Sequence, residues 1–84
     1  MPDHPHAAIA KRLKRANGHL QTIIEMIEEG RPCAEIAQQL RAVEGAIANA
    51  KKALILDHIG HGLKASGVKA NTALRDFRAI AKFL

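Results

Sequence analysis

Eighty-four residues allow one domain, and a lone chain of that size buries only about 60% of its unfolded surface, so self-association is the simplest route to stability. A hydrophobic content of 48%, mostly Ala, Ile and Leu with two Phe and no Trp or Tyr, favours close-packed helices and predicts an all-α fold. The formal charge of +5 points to an anionic partner, while no apolar run nears the roughly 20 residues of a membrane span and MPDHPHAAIAKR lacks signal-peptide order, which predicts a soluble, cytoplasmic protein without a membrane role.

Residues 1–5 read as a Pro-containing arm. After them Ile9, Leu13, Ala16, Leu20, Ile23 and Ile27 recur at steps of three and four, the signature of an amphipathic helix over 6–29. On that helix Lys11, Arg12, Lys14 and Arg15 place four cations in five positions with no acid among them. Glu25, Glu28 and Glu29 are held back to the far end. Such segregation exceeds what solubility needs and forms a basic patch suited to phosphates, with Arg41, Lys51 and Lys52 extending it from the next helix. His19 reads as a surface or interface residue.

The break GRPC follows. Gly30 suits a helix C-cap, and Pro32 suits the first turn of the next helix because its missing N–H has no intrahelical partner there. From Cys33 the apolar positions Ile36, Leu40, Val43, Ile47, Ala50 and Leu54 repeat in a 4,3,4,3,4 pattern, a heptad seam on a helix over 32–61 that should end at about Gly60 or Gly62. KASGVKAN reads as a linker. Asn71 or Thr72 would cap a last helix over 71–84 carrying Leu74, Phe77, Ile80, Ala81 and Leu84. The expectation is three helices, long, long and short, in a single domain over 1–84.

A single cysteine cannot form an internal disulfide, so Cys33 is a buried small residue, a reactive thiol or a ligand. It stands in a helix first turn beside Arg31, surroundings that favour negative charge. His58 follows 25 steps later on the same helix, roughly 37 Å along it, so the two cannot meet within one chain. Both fall on or beside the apolar seam. Two copies packed antiparallel along that seam would bring Cys33 of one beside His58 of the other, twice per dimer, with Gly45 and Ala46 as the crossing residues, small enough to permit close approach. No pocket with converging acid, base and binding groups can be read from the chain, and an enzyme is not expected.

In order, the segments KRLKRANGHLQTIIEMIEEG, RPCAEIAQQLRAVEGAIANAKKAL and DHIGHGL make the chain resemble the CsoR/RcnR/FrmR family of small bacterial repressors. The resemblance implies an all-helical antiparallel dimer that doubles into a tetramer, binds operator DNA and releases it when an effector occupies a Cys/His site between protomers. The family's sensing positions fall on Cys33 and His58. Copper sensors of the family carry a further Cys four residues after the His, and nickel or cobalt sensors carry a His there. In this chain that position is Gly62.

Candidate replacements are His61, His4 and His6. Thiolate with imidazole suits Cu, Zn, Ni or Co, and adding arm histidines would favour Ni or Co. The favoured effector is thus a transition metal. One alternative is the formaldehyde-sensing branch, in which Cys33 and Pro2, exposed by loss of Met1, form a methylene bridge and no metal is needed. Another is a metal chaperone or buffer without DNA binding.

Overall fold

A computed structural model describes residues 6–64 and 70–84, with the side chains of residues 61–64, 70, 71 and 73 outside that description. Three helices follow in order, α1 Ala7–Glu28, α2 Cys33–Lys64 and α3 Ala70–Ala81. The described residues contain no strand, and the fold is all-α. None of their helices is long and apolar enough to cross a membrane. The chain forms two compact units, Met1–Ala50 and Lys51–Leu84, so α2 runs through both.

In the first unit α1 and the leading part of α2 form an antiparallel hairpin. Ile9, Ala16 and Ile23 are buried at seven-residue intervals on α1, and Val43 and Ala50 at the same interval on α2. Ile23 and Ala50 are each only 1% exposed. Burying an aliphatic side chain of this size contributes about 1.5–3 kcal/mol, so these few residues anchor the hairpin. The heptad seam of α2 is therefore divided. Val43 and Ala50 close on α1, whereas Leu40 and Ile47, the alternate members of the same seam, stay exposed. On α1, Leu13, Ile24 and Ile27 are exposed as well.

The turn between the helices is fixed by a Schellman motif. The Arg31 N–H donates to the Met26 carbonyl at 3.0 Å and the Gly30 N–H to the Ile27 carbonyl at 3.1 Å. Gly30 adopts φ 73°, a conformation that strains any residue with a Cβ. Pro32 then stands one position before α2, with its carbonyl accepting the Ile36 N–H at 3.2 Å. Gly30→Ala should cost about 1–2 kcal/mol and lower the melting temperature by roughly 5 °C in thermal unfolding. Unchanged melting would refute that role for the turn.

Several expectations are corrected. Gly60 and Gly62 do not stop α2, which continues to Lys64; a helical glycine costs only about 1 kcal/mol, less than neighbouring turns can hold in place. Asn71 and Thr72 lie inside α3, which begins at Ala70, and so do not cap it. Gly45 is two residues from both Val43 and Ile47, which places it on the far side of α2 from the seam. A Cβ added there would meet no atom within 4 Å. Within one chain, Gly45 is thus open and lies away from the stripe that packs on α1.

In the second unit Ile55 of α2 is buried, and α3 leaves Leu74 and Phe77 exposed.

Candidate functional site

Cys33 opens α2 and its thiol is exposed. The chain enters this turn through Arg31 and Pro32, and Arg31 is committed to Glu35, with Nη2 donating to Oε1 at 3.0 Å across one helical turn. The guanidinium expected to favour a thiolate is thus already paired with a carboxylate. Within a single chain Cys33 is therefore not a buried small residue.

His58 lies on α2 in the second unit. Its Nε2 stands 2.6 Å from Oδ2 of Asp76 on α3, and the two side chains are 48% and 50% exposed. Because the carboxylate accepts, Nε2 carries the hydrogen, and Nδ1 is the ring nitrogen left for another partner. A carboxylate behind a ligating imidazole fixes its tautomer and orientation. Sequence spacing gave no sign of Asp76, since its meeting with His58 depends on how α3 folds against α2.

Cys33 and His58 belong to different units. Among the described residues no group of three His, Cys, Asp or Glu side chains gathers in one chain. His6 occupies the position before α1, where its carbonyl accepts the Ala10 N–H at 2.9 Å. Pro2, His4 and the side chain of His61 lie outside the described residues. Gly62 is part of α2 and brings no donor of its own. The donors in hand, a thiol and an imidazole, fit a soft or borderline transition ion in kind.

The expected basic residues Lys11, Arg12, Lys14, Arg15, Arg41, Lys51 and Lys52 are all exposed. Within the first unit Arg12 and Arg15 line a groove between α1 and α2 together with Ala16, His19, Ala46 and Asn49. His19 is half-buried, with Nε2 2.6 Å from Oε1 of Gln39 across the hairpin. Its membership of this groove was legible in retrospect: positions 12, 15, 16 and 19 share one side of a helix. Asn49 carried no such signal, because it joins from the other helix.

These features sit on a chain whose relatives are known. The sequence model described as "Metal-sensitive transcriptional repressor" matches residues 5–84. The copper-sensing transcriptional repressor CsoR of Mycobacterium ulcerans is 36% identical over 59 residues, 70% of this chain and 50% of that protein. CsoR of Bacillus subtilis is 40% identical over 53 residues, 63% and 52% of the two chains. The copper-sensing repressor RicR of Mycobacterium tuberculosis is 36% identical over 52 residues, 62% and 54%. The chain spans about half the length of these curated relatives, and no solved structure matches it. With residues 5–84 matched, a cysteine at the start of α2 and a histidine downstream, the chain belongs to the family of metal-sensitive transcriptional repressors.

Proposed function

We propose that this chain is a repressor that binds operator DNA through its basic hairpin and is released when an effector is held at a site built from Cys33 of one copy and His58 of another. The observation that carries the reading is the state of the two donors: an exposed thiol at the start of α2, and an imidazole whose Nε2 is engaged by Asp76 so that Nδ1 remains for a ligand. They lie 25 steps apart on one helix, so a second copy has to supply the partner donor. The repressor therefore works as an antiparallel dimer, doubling into a tetramer.

A transition metal is the effector, and copper is favoured among Cu, Ni, Co and Zn. The thiolate selects Cu(I), and the relatives named above are described as copper-sensing. Such an ion would supply only Lewis acidity that draws the two donors together. Cys33 provides the anionic sulfur, His58 the neutral nitrogen, and Asp76 holds the ring.

Gly62 supports a second reading, because it leaves the site without a side-chain donor common in the family. In that reading the Pro2 amine and the Cys33 thiol condense with formaldehyde to an N–CH2–S bridge, losing one water.

Fluorescence anisotropy on duplex DNA from upstream of the gene tests both, with Cu(I), Ni(II), Co(II), Zn(II) and formaldehyde added in turn. Release by one metal is expected, with affinity falling about 10- to 100-fold. Release by formaldehyde alone selects the second reading. Tight metal binding without salt-dependent DNA binding would make the chain a chaperone or buffer and end the repressor reading.

A further inference from the structure

We infer that the groove between α1 and α2 in the first unit seats a phosphate of the DNA backbone, and that His19 and Asn49 act there as contact residues alongside Arg12 and Arg15. This rests on the DNA-binding reading above and adds to it the place where a strand is held.

The groove encloses about 350 Å³. Ala16 on α1 and Ala46 on α2 are among its lining residues, two short side chains that leave room between the helices. Arg12, Arg15, His19 and Asn49 complete its lining. All four can donate hydrogen bonds, and no carboxylate is among the lining residues. Two planar guanidinium forks one turn apart suit the oxygens of a phosphodiester, which accept several donors at once.

His19 is more than a neighbour of these cations. Its Nε2 lies 2.6 Å from the Gln39 side-chain oxygen, so Nε2–H donates to the amide and the ring plane is fixed from the α2 side. Nδ1 is the remaining ring nitrogen, left over for a ligand in the groove. The groups lining the groove around the ring are Arg12 and Arg15 on α1 and Asn49 on α2, with no acid among them.

A second recess of the hairpin is opposite in character. Toward the turn, Thr22, Glu25, Glu29, Glu35, Gln38 and Arg31 are among its lining residues, and Arg31 is tied to Glu35. Three carboxylates repel a phosphate backbone. The hairpin thus holds a strand at one recess and keeps it from the other, which fixes where along α1 the DNA crosses.

Adding a cation to the wall gives the cleanest test, because a gain cannot come from misfolding. Asn49→Lys is expected to bind a duplex of about 30 base pairs three- to tenfold more tightly in anisotropy titrations and to steepen the logarithmic salt dependence by about 0.9 per added phosphate contact. Gln21→Lys, with the same charge on exposed α1 surface outside the groove, should gain clearly less. His19→Ala should lose about three- to tenfold and flatten the salt dependence, and His19→Lys should recover the loss; a purely structural His19–Gln39 bond would not be rescued by lysine.

If the wild type shows no salt-dependent affinity for the duplex, the DNA-binding reading falls and the groove with it. If the wild type binds, but Asn49→Lys gains no more than Gln21→Lys or His19→Lys stays as weak as His19→Ala, the groove is not the seat and the repressor reading stands.

Discussion

Cys33→Ala is expected to stay on DNA in the presence of whichever effector releases the wild type. In anisotropy titrations the wild type should lose about 10- to 100-fold in affinity on adding effector, and the variant less than about twofold. Cys33 is exposed, so its loss should change stability by no more than about 0.5 kcal/mol, and failure to respond cannot be put down to unfolding. DNA affinity without effector should match the wild type, since no expected phosphate contact is touched. His58→Ala should behave alike toward a metal. Asp76→Ala keeps both donors but frees the ring, and should weaken metal binding by about tenfold without abolishing the response. Under the formaldehyde reading His58→Ala and Asp76→Ala respond as the wild type does, and only Cys33→Ala is silent. Normal release in Cys33→Ala would defeat both readings.

Period and punctuation made most of the fold legible. Steps of three and four along Ile9 to Ile27 and Ile36 to Leu54 mark helices whatever they pack against, and Gly30 with Pro32 marks the turn. The chain did not disclose how the seam of α2 is shared. Leu40, Val43, Ile47 and Ala50 lie on one broad apolar face, and only the approach of α1 decides that Val43 and Ala50 are covered and Leu40 and Ile47 are not. The same limit explains Gly45, a small residue assigned to the seam by its level along the helix when its angle puts it on the opposite side. At the candidate site, Cys33 and His58 were readable because their residue types and spacing carry chemistry. Asp76 and Asn49 were not, because each acquires its role from a neighbouring helix. His19 lay between these cases, with its place beside Arg12 and Arg15 written in the helical spacing and its bond to Gln39 decided by the hairpin.

The divided seam leads to the second large effect. Ile47 is 47% exposed in a single chain, beside exposed Leu40 on α2. Leu13, Ile24 and Ile27 form a further exposed apolar set on α1. A helix surface this apolar in an 84-residue chain is expected to be covered by a second copy. Ile47→Glu would bury an unpaired carboxylate at the interface, once from each copy, and should weaken self-association at least a hundredfold. Light scattering at about 10 μM protein should then report a monomer where the wild type is a dimer or larger. Gln38→Glu places the same charge on the other side of α2, two residues from Leu40, and should leave the assembly intact. A wild type that is itself monomeric, or an Ile47→Glu variant that stays assembled, would remove the apolar seam from the interface. The consequences for function differ from those of Cys33→Ala. Separating the copies halves the basic surface offered to one duplex, so DNA affinity and its salt dependence should fall before any effector is added. It also parts Cys33 from the His58 of the other copy, so metal affinity should fall with it. A variant that loses the response alone reports on sensing, and one that loses assembly, DNA and metal together reports that the site lies between chains.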